Sequence, residues 1–102
     1  MLPDAIIEMR FFTPSEGGRT HPIEGQYYSC PMFLDDEAFD CRVMLNGMKL
    51  QLGETFKLGV IFLSPSLVVP RLRVGKRVVF WEGRTIGEGR VLEVRGGSIP
   101  FS

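Results

Sequence analysis

Short runs of alternating apolar and polar residues, broken by Gly and Pro about every ten positions, organise this chain. Ile7, Met9 and Phe11 fall on one face of a strand, with Glu8 and Arg10 on the other; a helix starting behind Pro3-Asp4 is the rival reading, disfavoured by Phe12-Thr13-Pro14. Tyr28, Cys30, Met32 and Leu34 are in phase across residues 27–34, and Pro31 among them predicts an edge position or a bulge, because it cannot donate to a ladder. Phe39, Cys41, Val43 and Leu45 alternate most cleanly. After the hairpin-type pair Asn46-Gly47 and the turn Leu52-Gly53-Glu54, a fourth strand carries Phe56, Leu58, Val60 and Phe62. Its opposite face, Lys57, Gly59, Ile61 and Leu63, is apolar enough to predict cover on both sides. A Val-, Pro- and Arg-rich connection then leads to residues 77–81. The last strand, residues 85–95, loses phase at Gly87-Glu88-Gly89, which predicts a bulge. Neither heptads nor long 3.6-residue periods occur. The pattern predicts an all-β fold of six strands, with a spacing shared by sandwiches and barrels and suggestive of a barrel.

At 102 residues the chain has room for one core, expected over about residues 5–95, with 96–102 as a tail. No apolar run approaches the roughly 20 residues of a membrane helix, and no secretory leader pattern precedes Cys30 and Cys41, so a cytosolic setting with reduced thiols is expected. The net charge is zero, which argues against a general nucleic-acid coat. The acids nevertheless concentrate in the first half and the bases in the second, an asymmetry that marks a contact face only if folding does not interleave them.

Candidate chemistry is sparse. No GxxxxGK[ST] pattern is present, so no nucleotide site is expected. His21 is the only histidine, which leaves Cys30 and Cys41 without an evident base and supplies too few ligands for zinc; no catalytic residue, metal or cofactor is expected. Asp35-Asp36-Glu37 reads as a solvated turn rather than a calcium loop. The one basic stretch is Arg71, Arg73, Lys76 and Arg77, close to Phe80 and Trp81, an arrangement found both on edge strands and in single-strand binders.

Two glycine turns share almost the same wording, Glu16-Gly17-Gly18-Arg19-Thr20 and Glu82-Gly83-Arg84-Thr85. With its flanks Phe12-Thr13-Pro14-Ser15 and His21-Pro22, the first resembles the opening of the third, C-terminal β-barrel domain of translation elongation factor Tu. Glu82 to Leu92 resembles that domain's ending, and Leu52-Gly53-Glu54 with Lys57 to Pro65 resembles its middle. The resemblance implies a Greek-key-type six-stranded barrel that does no chemistry of its own, packs on protein and holds the T stem of aminoacyl-tRNA. The positions that match the family's RNA contacts carry Ser64, Trp81, Tyr28-Ser29-Cys30 and Asp36, and of the contact motif only Glu82, Gly83 and Arg84 remain. A protein partner or self-association is therefore the leading expectation. The rival is tRNA or structured-RNA binding through Arg71, Arg73, Lys76, Arg77 and Arg90, with Trp81, Glu82 and Gly83 alongside. The two turns are expected at different corners, with Arg19 and Arg84 bracing them through carbonyls or acids such as Glu16 and Glu82.

Overall fold

Six strands form where the alternation places them. In the computed structural model, which describes residues 2–95, they are β1 (Ala5–Phe11), β2 (Tyr27–Leu34), β3 (Glu37–Met44), β4 (Thr55–Phe62), β5 (Arg77–Trp81) and β6 (Thr85–Val94). The expected tail at 96–102 lies outside the described residues. Neighbouring strands are antiparallel, in the closed order β1-β4-β3-β2-β5-β6. Strands β2 to β4 follow one another around the wall and β1 returns beside β4, which is the Greek-key order.

β1 shows why the rival helix does not form. As a strand it is paired on both flanks, with β4 from Ala5↔Val60 to Arg10↔Thr55 and with β6 from Ala5↔Val94 to Phe11↔Gly87. Asp4 anchors its start: the buried carboxylate accepts the Phe62 backbone N–H at 2.9 Å. The Asp4 N–H donates to the Val60 carbonyl and its own carbonyl accepts from Arg95, both at 2.9 Å. A buried carboxylate is tolerated because its partner is already in place.

The inward phase of every strand fills the barrel. Ile7, Met9, Phe11, Met32, Leu34, Val43, Val60, Val78, Phe80, Ile86 and Val91 are all buried. Phe11 sits between Phe80 at 5.2 Å and Tyr28, edge-on at 5.9 Å. β4 was expected to be covered on both sides. Instead its outer face keeps Lys57 exposed and Leu63 57% exposed, with Gly59 and Ile61 half-buried. A single closed sheet has one interior, and outside it Pro3 and Met44 lie over Gly59.

The Gly87-Gly89 pair is not a bulge. Both ladders stay in register across it, and the extra residues lie on either side. Ile86 is skipped between Phe80↔Gly87 and Trp81↔Thr85, and Leu92 between Ile7↔Val91 and Ile6↔Glu93. The glycines are close-approach positions. A Cβ at Gly89 would stand 2.7 Å from the Glu8 carbonyl oxygen, and one at Gly87 would stand 2.8 Å from the Phe11 ring.

Pro31 has no true edge to occupy in a closed barrel, yet the ladder between β2 and β5 covers only Met32↔Phe80 and Phe33↔Val79 and stops one residue short of it. The connection after β4 contains a turn of α-helix, α1 (Pro65–Val68), followed by a 3-10 turn at Val69–Arg71. Val68, Val69 and Leu72 enter the core. Within Leu67 to Pro70, Val68 and Val69 are thus interior while Leu67 and Pro70 stay exposed. No helix among the described residues is long and apolar enough to cross a membrane.

Candidate binding surfaces around the glycine turns

The two glycine turns do not sit at separate corners; they are locked together. In the first, Pro14–Glu16 form a 3-10 turn whose Glu16 carboxylate caps the Thr13 N–H at 2.9 Å, and Gly17 follows in the left-handed region at φ 90°. Arg10, from β1, donates to both Glu16 oxygens at 2.9 Å. The Thr13 backbone bond, then Arg10, hold the Glu16 carboxyl below its ordinary range. In the second turn Gly83 is also left-handed, at φ 74°.

Each turn sends its arginine into the other. Arg84 donates to the Gly17 carbonyl at 2.7 Å and the Gly18 carbonyl at 2.8 Å, across 67 and 66 residues of sequence. Arg19 donates to both oxygens of Glu82 at 2.9 Å, and the Tyr28 hydroxyl donates to the same carboxylate at 2.9 Å. The Arg19 guanidinium also lies 5.2 Å from the Tyr28 ring centroid. Burial, then Cys30 and the Glu82 carboxylate, push the Tyr28 phenol well above its ordinary value. The expected bracing exists but is crossed: Glu82 serves Arg19, Arg84 serves two carbonyls, and Glu16 serves Arg10. Of Glu82 and Gly83, the place where the resemblance leaves an RNA contact, Glu82 is therefore engaged within the protein.

The basic stretch is largely neutralised by the acidic turn between β2 and β3. Arg71 donates to Glu37 at 2.6 Å and approaches Asp35 at 3.9 Å, while Lys76 donates to Asp35 at 2.6 Å. Lys76 first, then Arg71, draw the Asp35 carboxyl below its usual range, although burial opposes them. Arg77 pairs with Glu88 at 2.8 Å. Arg73 and Arg90 donate to the carbonyls of Leu72 and Gly75. Folding thus interleaves the acidic and basic halves, and of the five proposed RNA-facing bases only Arg73 and Arg90 keep a charge without a carboxylate partner among the described residues. Asp35-Asp36-Glu37 is exposed, as expected of a solvated turn, and two of its three acids also form ion pairs. Trp81, 38% exposed, stands on the outer face of β5 with its ring edge-on to Phe33 across the short β2–β5 seam.

The thiols are cross-strand neighbours, Cys30↔Cys41, both free and both buried. The Cys41 thiol donates to the Cys30 carbonyl at 3.3 Å, and its bonding to Cys30, then burial, raise its pKa well above the ordinary value. A thiol held protonated away from water is a poor nucleophile. Neither cysteine is expected to react with an aromatic disulfide reagent in native buffer, and both are expected to react in denaturant; a fast native phase would show a reactive site. His21 hydrogen-bonds Thr20 at 2.9 Å on the exposed loop. Every buried side-chain polar atom among the described residues has a partner.

Sequence reading missed one surface. Tyr27, Arg42, Ile61, Phe62 and Leu63 line a shallow hollow on the outer wall. Only the register Arg42↔Ile61 brings these together. The outward apolar phase of Ile61 and Leu63 was its one visible sign. Compared with known proteins, the chain matches no family model and no curated protein.

Proposed function

We propose that the chain is a non-catalytic binding module, built on a barrel resembling the third domain of elongation factor Tu and serving contact with protein rather than RNA. The closed six-stranded Greek-key wall supports the resemblance. The observation that carries the choice of partner is the internal pairing of the bases: Arg71, Lys76 and Arg77 face Glu37, Asp35 and Glu88. RNA binding gains most of its free energy from cations that replace counterions along phosphates. A cation already held by a carboxylate contributes less of that gain. The exposed apolar side chains Tyr27, Leu63 and Trp81 instead suit a protein face.

Titration with unfractionated tRNA at low salt tests this. The expected result is no binding above that of a neutral control protein, together with retention of a protein from lysate or a mass above one chain by light scattering. Saturable tRNA binding that falls steeply with salt and weakens in Arg73→Ala and Arg90→Ala would replace the protein reading with the RNA one.

A further inference from the structure

Among the described residues, Arg42 is the one arginine with neither an ion pair nor a side-chain hydrogen bond. Arg10, Arg19, Arg71, Arg77 and Arg95 face carboxylates, while Arg73, Arg84 and Arg90 donate to carbonyls. Asp40 lies two residues away on the same outer face of β3, yet forms no ion pair with it. A guanidinium offers five N–H donors in a fixed fork that matches a carboxylate.

The surroundings of Arg42 are apolar on the β4 side and polar on the β2 side. It is paired directly with Ile61 of β4 and Ser29 of β2. Tyr27, 45% exposed, and Leu63, 57% exposed, stand around it, and Arg42 is the only charged residue in the lining. The hollow measures about 220 Å³, below the roughly 300 Å³ at which small-molecule pockets begin. It is sized for a side chain rather than for a cofactor. A hydrogen bond from the guanidinium to a carboxylate is charge-assisted and stronger than a neutral one.

We infer that this hollow docks a partner protein segment in which a carboxylate stands directly beside an aliphatic or aromatic side chain. The apolar group fills the space over Ile61 between Tyr27 and Leu63, and the carboxylate takes the Arg42 fork. The inference rests on the reading of the chain as a protein-binding module, and it adds the place and the chemistry.

The probes are three hexapeptides, Gly-Ser-Asp-Leu-Ser-Gly, its Asn-Leu counterpart and its Asp-Ser counterpart, titrated to millimolar concentration into ¹⁵N-labelled protein. The Asp-Leu peptide is expected to give saturable amide shifts confined to Tyr27, Arg42, Ile61, Phe62 and Leu63. The other two are expected to bind about tenfold more weakly or worse, since each lacks one of the two contacts. Arg42→Gln and Leu63→Ser, both on the exposed wall, are expected to keep the native spectrum and lose the shifts. No saturable shift, equal binding of all three peptides, unaltered binding to Arg42→Gln, or the same shifts produced by tRNA would overturn the inference. Immobilised wild type and Arg42→Gln in one lysate separate the two readings. A partner held by the wild type and released by the variant supports the hollow; one held equally by both overturns the hollow and leaves the binding module standing. A lysate that yields nothing, together with silent peptides, removes both.

Discussion

Gly18→Ala is expected to destabilise the barrel by about 3 kcal/mol or more, and Gly17→Ala by only about 1 kcal/mol, although Gly17 is the residue in the left-handed region. At Gly17 an added Cβ meets open space, so the cost is the conformational one, φ 90° for a side-chain-bearing residue. At Gly18 the added Cβ would fall on the carbonyl of Phe12 and lie 2.8 Å from the Phe12 Cβ. Neither side can yield easily. Gly18 donates its N–H to the Thr13 carbonyl at 2.9 Å and accepts Arg84 on its own carbonyl, while the Phe12 N–H is tied to Ile86 at 2.8 Å. Against a total stability of about 5–15 kcal/mol for such a domain, the Gly18 change removes a large part of it. Urea unfolding of both variants checks the order; a Gly17 variant less stable than the Gly18 variant would refute the steric account.

Phe80→Ala is expected to cost about 3–5 kcal/mol, the range for deleting a buried aromatic side chain. Phe80 is fully buried on β5, the shortest strand, and its ring stacks obliquely on Phe11 of β1. It is also the residue of β5 paired with Met32 at the seam where β5 meets β2 along only two residue pairs. The ring therefore holds together a junction that backbone hydrogen bonds alone hold weakly. A matched variant on the outer wall, Val79→Ala, is expected to lose about 1 kcal/mol, because Val79 is only partly buried. Equal losses at the two positions would show that the seam does not depend on the ring.

The strands were legible because one face of each is buried and the other is wet, so a period of two is written directly into residues such as Phe39, Cys41, Val43 and Leu45. The helical turn at Pro65–Val68 was not, since four residues cannot display a 3.6-residue period. Glycine inside a strand marks either a bulge or a close approach. Sequence could not choose between them at Gly87 and Gly89, because the answer depends on Phe11 and on the Glu8 carbonyl across the ladder. The glycine turns were visible as words but not as neighbours, and the same holds for the neutralisation of Arg71 and Lys76 by Glu37 and Asp35. The hollow at Arg42 depends on the β3–β4 register, which the alternation leaves open to shifts of two residues.

The position of β1 imposes an order on synthesis. The barrel's first strand is flanked by β4 and by the barrel's sixth, β6, and the first glycine turn finds its partner arginine only at Arg84. A nascent chain that has not released β6 from the ribosome therefore carries β1 with one unpaired edge, a template for pairing with other chains. Closure requires residues 84–94, whose pairing with β1 and β5 converts an open sheet with a vulnerable border into a wall without one.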